Sequence, residues 1–149
     1  DTDFVLTIQH DGFIINPLAW RDDFFDYDYI GAPWPWREQG FVTPFGEHIA
    51  VGNGGFSLRS KKLIELPFKV DIPFDVVAKN DFYKMFGAVN WNEDGNICVH
   101  NRHIFEEHGC KFAPVDVAKY FSHESPLDIN RGIIPFGYHG NLPGGVTVE

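Results

Sequence analysis

Asp11 and His139 are the groups in this 149-residue chain best placed to do chemistry. Each ends an apolar segment that reads as a strand, Phe4 to Gln9 for the first and Ile133 to Tyr138 for the second, and each is followed by a glycine. A carboxylate oxygen and an imidazole nitrogen at such positions suit a divalent cation, Mn²⁺ above all, with open positions left for phosphate oxygens. A second set is the adjacent pair Glu93-Asp94 at the head of an apolar-periodic run. Two acids there stabilise the positive end of a helix. The same pair can instead supply a general base and a neighbour that binds substrate hydroxyls.

Two other clusters promise less. On a helix His100 and His103 are neighbours, whereas His108 lies about 12 Å along the axis, so one ion cannot take all three. They are expected to be surface histidines near a helix C-terminus. Cys98 and Cys110 are the only cysteines and lack a C-x-x-C spacing, so two buried, reduced thiols are expected.

The segment Val51-Gly52-Asn53-Gly54-Gly55-Phe56-Ser57-Leu58-Arg59-Ser60 must do something a Cβ would forbid. Glycine in a strand context marks a bulge, or the close approach of a ligand or another backbone. Ser60 has the character of an N-cap for a short helix over Lys61 to Leu66. Upstream, Pro33 and Pro35 force Tyr29 to Trp36 into a stiff, extended, aromatic stretch. That stretch is either a packed loop or an aromatic wall, with Trp34 and Trp36 facing an apolar sugar surface.

The elements that must hold these groups read as an α/β pattern. Phe4 to Gln9 is nearly continuous apolar, the signature of a buried central strand. It places Asp11 at a carboxyl end, where ligands of open α/β sheets collect. Short helices are expected over Leu18 to Phe25 and Asn80 to Gly87. A longer one should run from Glu93 through Ile97, Cys98, Ile104 and Phe105 to a stop at Gly109. Val115 to Phe121 forms a further element. Residues 1–140 are expected to be one domain, with 141–149 a loose tail.

A formal charge of −9 with only 12 scattered Lys and Arg argues against a nucleic-acid partner, whose phosphates need a basic stripe. Apolar content of 44%, with 16% aromatic, describes a dense interior rather than disorder. No apolar run approaches the ~20 residues needed to span a bilayer, and no signal peptide is visible. A cytoplasmic or membrane-peripheral setting is expected rather than a secreted one. The chain begins at Asp1, not methionine, and is expected to be part of something longer.

Five blocks in order resemble a known pattern: Leu6-x-x-Gln9-x-Asp11-Gly12, Tyr27-Asp28-Tyr29-Ile30-Gly31-Ala32-Pro33-Trp34, Val51 to Arg59, Glu93-Asp94, and Pro135-Phe136-Gly137-Tyr138-His139-Gly140. Together they resemble an uncharacterised glycosyltransferase-like domain family of GT-A architecture. The resemblance implies an α/β fold, a mixed sheet with flanking helices, of which this chain is the metal and acceptor half without the N-terminal nucleotide-binding half. It implies Mn²⁺ on Asp11 and His139, although only the last acid of the family's Asp-x-Asp triplet is present in Gln9-His10-Asp11. It makes Asp94 the catalytic base and Glu93 a hydroxyl binder, and it gives Gln9, Trp34, Asn53, Gly54 and Gly55 to substrate. The implied reaction is transfer of a sugar from a nucleotide-sugar donor to a carbohydrate or other hydroxyl acceptor. A single base with no nearby nucleophile favours inversion. A catalytically inactive carbohydrate-binding module is the alternative. A metal-dependent hydrolase using Asp11, His139 and Glu93 has too few, too scattered ligands.

Overall fold

Two strands, β1 (Phe4–Ile8) and β4 (Phe56–Ser60), set the frame of the computed structural model, which describes residues 2–35, 41–73 and 92–147. They run antiparallel with Phe4 opposite Ser60 and Ile8 opposite Phe56. Strand β3 (Tyr29–Ile30) pairs antiparallel with the other edge of β4, giving the order β1-β4-β3. A second small sheet joins β2 (Gly12–Ile14), β5 (Ser122–His123) and β6 (Gly137–His139). Its order is β2-β6-β5, antiparallel on one side of β6 and parallel on the other. The expected mixed α/β character is present, among the described residues in two three-stranded sheets rather than one.

The alternation of β4 divides the interior. Phe56 and Leu58 face a cluster containing Phe24, Ile30, Phe121 and Phe136. That side is covered by the helix Val115–Phe121 and by an aromatic stack in which Phe24 meets Phe121 at 5.2 Å, edge to face. Ser57 and Arg59 point the other way, as period 2 requires. On that side Tyr29, Leu63, Cys98, Val99 and Phe105 form the second cluster. It is closed by α1 (Lys61–Glu65), α2 (Glu93–Gly95) and α3 (Arg102–Glu107), with the helix Val115–Phe121 becoming α4.

Local expectations fare unevenly. Ser60 does cap α1, its Oγ accepting from the Leu63 N–H at 3.1 Å and donating to Asp28 Oδ1 at 2.5 Å. Gly109, at φ +79, ends the Glu93 run as expected. That run is not one α-helix. Residues Asn96–His100 form a π turn, and Asn101 N–H bonds back five residues to the Asn96 carbonyl at 2.9 Å. The Asn96 and Asn101 amides both donate to the Pro73 carbonyl, at 3.1 and 2.6 Å, which holds the widened turn in place. Leu18 to Phe25 is two 3₁₀ turns, Pro17–Ala19 and Asp22–Asp26, separated by Trp20 and Arg21 in extended conformation. This break turns Trp20 onto Phe24 and Phe136. The helix expected over Asn80 to Gly87 lies outside the described residues.

Strand β1 is not central. It borders β4 alone among the described residues, and Val5 and Ile8 are exposed. Its apolar run reports side-chain type on both faces but not how many neighbours the strand has. The cysteines are free and buried, as expected. Their burial raises both thiol pKa values. Residues 141–143 are tethered: the Asn141 amide donates to the Glu124 carbonyl at 3.2 Å, and Pro143 is buried. Among the described residues no helix is long and apolar enough to cross a membrane.

Candidate active site

The β1–β4 ladder runs one step past the strand, with Gln9 N–H donating to the Gly55 carbonyl at 2.8 Å. The chain then turns, Gly12 N–H bonding to the Gln9 carbonyl at 3.0 Å, and enters β2 opposite β6. In that register Gly12 faces His139, and Gly140 N–H donates to the Asp11 carbonyl at 3.0 Å. The turn at 9–12 therefore joins the two sheets and delivers Gln9, Asp11 and His139 to one point. His139 Nε2 lies 3.1 Å from Gln9 Oε1 and 3.2 Å from Asp11 Oδ1. Its Nδ1 lies 3.4 Å from Glu124 Oε1.

Gly55 makes this possible. A Cβ on Gly55 would lie 2.2 Å from His139 Nε2, so the imidazole occupies the space that any other residue would fill. Along β6, Gly137 and His139 share a face, and the fit is reciprocal: the bare Gly137 lies under the Phe56 ring, the large His139 over the bare Gly55. Asn53 shapes the turn before it. Its φ is +66, and its Oδ1 accepts from Gly55 N–H at 2.9 Å. This is an Asx turn, which asparagine tolerates in the left-handed region. With 1% of its surface exposed, Asn53 is part of the scaffold of the turn.

Glu93 and Asp94 approach the same turn from the opposite layer. Asp94 Oδ2 accepts from Gly54 N–H at 3.0 Å, and Oδ1 accepts from Gly95 N–H at 2.8 Å and from the Asn92 amide at 2.6 Å. Glu93 forms an ion pair with Arg59, and a Cβ on Gly54 would lie 2.5 Å from Glu93 Oε2. Arg59 is held in turn by Ser57 Oγ, which accepts from its Nε at 3.0 Å, and by the Tyr29 ring, 5.4 Å from its guanidinium. Burial opposes the Arg59 charge, but Tyr29 and Glu93 outweigh it and raise its pKa. The two halves of the site feel each other. Burial pushes the Glu124 carboxyl up, His139 and the Asn53 amide pull it down, and Asp94 raises it again.

The structure thus brings together Gln9, Asp11, His139, Gly54, Gly55, Glu93 and Asp94. It does not bring Trp34. That indole is 5% exposed, packed on Phe41 at 4.5 Å and against Gly52, where a Cβ would meet its ring. Trp34 is core, so it offers no face to a sugar, and Trp36 lies outside the described residues. His100 is likewise buried rather than on the surface, and its pKa is pushed down to about 4 by that burial. Two residues of the site had gone unnoticed in the sequence, Glu124 and Arg59. Arg59 carried one signal: it shares a strand face with Ser57, beyond glycines that leave room for a partner.

Among the described residues, no three His, Cys, Asp or Glu side chains converge as a metal-binding group. The imidazole explains this, because it stands between Asp11 on its Nε2 side and Glu124 on its Nδ1 side. The spacing of Asp11, His139 and Gln9 nevertheless accommodates a small cation. Asp11 Oδ1 is shielded from solvent and has no hydrogen-bond partner among the described residues. Ligands at right angles around a small divalent ion, at about 2.1 Å each, stand about 3.0 Å apart. The spacings of Nε2 from Gln9 and Asp11 are close to that.

Fold and site together define a small mixed α/β domain in which a glycine turn separates a carboxylate–imidazole cluster from an acidic pair. Residues 1–139 match the family described as Protein of unknown function (DUF5672), and the chain belongs to that family. No curated protein and no solved structure matches it.

Proposed function

We propose that this chain is the metal- and acceptor-binding part of a GT-A-like glycosyltransferase that moves a sugar from a nucleotide-sugar to a hydroxyl acceptor with inversion. The observation that carries the reading is the convergence at Asn53-Gly54-Gly55. Gln9 and His139, 130 residues apart, meet with Asp11 beside Gly55, while Glu93 and Asp94 meet the backbone at Gly54. The resemblance to the glycosyltransferase-like pattern supports it, since these are the positions to which that pattern assigns metal, acceptor and base.

Asp11 and His139, with Gln9 beside them, would hold a divalent cation, for which Mn²⁺ is the first choice. Such an ion supplies positive charge for the diphosphate that leaves the sugar. The remaining work falls to the chain. Asp94 is oriented by three donors, and a carboxylate has about four lone-pair sites, so one on Oδ2 remains for the acceptor hydroxyl proton. Glu93, half-exposed and anchored by Arg59, orients the acceptor through its hydroxyls. The bare backbone at Gly54 and Gly55 lets Glu93 and His139 approach more closely than any Cβ would allow.

Release of nucleoside diphosphate from a panel of nucleotide-sugars, with Mn²⁺ and simple sugar acceptors, tests this in the intact protein, where the nucleotide-binding half is present. Turnover that disappears in Asp94→Asn is expected. Sugar binding by calorimetry without any turnover would instead mark a catalytically inactive carbohydrate-binding module.

A further inference from the structure

Glu124 follows β5, which runs parallel to β6 with His123 opposite Tyr138, so the next step of the ladder sets Glu124 beside His139. Its backbone carbonyl is held by the Asn141 amide, and its carboxylate lies by the His139 ring, with Asn53 near enough to lower its pKa. The ring it faces cannot retreat past the Gly55 backbone.

Acceptor atoms face both nitrogens of His139, whereas a neutral imidazole carries one N–H. The proton must be placed on one side. Glu124 Oε1 is in hydrogen-bond geometry with Nδ1 at 3.4 Å, whereas Asp11 Oδ1, 3.2 Å from Nε2, makes no hydrogen bond among the described residues. A carboxylate only accepts, while the Gln9 amide at Nε2 can turn to donate or accept, so the hydrogen belongs on Nδ1.

We propose that Glu124 is a positioning residue for His139: it accepts the Nδ1 hydrogen and leaves the Nε2 lone pair directed at Asp11 and Gln9. Its purpose rests on the metal reading above, because a ligating histidine has its tautomer set by the partner of its other nitrogen. The consequence is that the Nε2 lone pair and Asp11 Oδ1 face one another at 3.2 Å, with the Gln9 amide 3.1 Å from Nε2 and able to turn its oxygen to a cation. That arrangement is unfavourable without positive charge between them and favourable around a cation.

The test is the tautomer of His139, read from two-bond ¹H–¹⁵N correlations on labelled protein at pH 8, without metal. Wild type and Glu124→Gln, whose amide oxygen still accepts, are expected to show a pyrrole-like Nδ1 and a pyridine-like Nε2. Glu124→Ala should reverse the two and weaken Mn²⁺ binding by about 10–100-fold. The wild-type spectrum alone is decisive should the alanine variant not fold: a pyrrole-like Nε2 there overturns the proposal. So does an alanine variant with the wild-type tautomer. A wild type with the expected tautomer, reversed by alanine, that takes up no Mn²⁺ supports the role of Glu124 and removes the metal reading instead.

Discussion

The imidazole of His139 stands where the side chain of residue 55 would be, and Gly55 is the reason it can. This single exchange of volume couples the two sheets. It brings the last ladder bond of β1 and β4, Gln9 to Gly55, within reach of a residue from the far end of the chain. Gly55→Ala should therefore lose about 1–3 kcal/mol through overpacking and displace His139. Gly144→Ala, where a Cβ meets nothing within 4 Å, should stay within about 0.5 kcal/mol of wild type. Urea melts of both variants check this, and a fully stable Gly55→Ala would contradict the packing.

The acidic pair divides its labour in a way that substitution can expose. Asp94→Asn replaces an acceptor with a donor in a carboxylate held by three hydrogen bonds, and should cost about 1–3 kcal/mol. In the proposed reaction it should also slow transfer by about 10²–10⁴-fold with donor binding unchanged. Glu93→Gln keeps an oxygen for Arg59 but removes the charge that offsets burial of that guanidinium, and should cost about 1–3 kcal/mol. If Glu93→Gln were the more damaging to turnover, the two roles would be exchanged.

Ser60 links α1 to the loop before β3, because it caps the helix and donates to Asp28, whose other oxygen accepts from Lys111 N–H at 2.7 Å. Ser60→Ala should cost about 1–2 kcal/mol. A thermal melt of the variant indistinguishable from wild type would show the cap to be energetically idle.

How much of this was legible in the sequence depends on range. The Ser60 cap and the Gly109 stop are local, set by residue types a few positions apart, and both were readable. The glycines at 54 and 55 announced a close approach, and Asp11, His139, Glu93 and Asp94 stood out as polar groups at the ends of apolar runs. What approached the glycines was not readable, since His139 and Glu93 reach them through tertiary packing. Glu124 carried no local pattern: its place follows from a two-residue parallel pairing that sequence periodicity does not register. Trp34 misled for the opposite reason. Prolines made its backbone extended, but the bare Gly52 beneath the ring drew the indole into the core.

His100 gives a pH dependence with a definite sign. Burial lowers its pKa from 6.5 to about 4, so between those values the unfolded chain binds a proton that the folded chain does not. Stability is then complete above about pH 6.5 and falls as pH drops toward 4, by roughly 2 kcal/mol after allowance for partial solvent screening. Denaturant titrations at pH 7 and pH 4.5 should show a smaller difference for His100→Gln than for wild type. Equal slopes would mean that another group sets the acid limb.

The central claim is that Asp11 and His139, brought together at the Gly55 turn, are cation ligands, and manganese EPR titration tests it most directly. Wild type should take up Mn²⁺, weakly in the absence of nucleotide and more tightly with a nucleoside diphosphate, because phosphate oxygens complete the shell. Asp11→Ala and His139→Ala should each weaken uptake by about tenfold or more. Identical titrations for the three proteins would contradict the account.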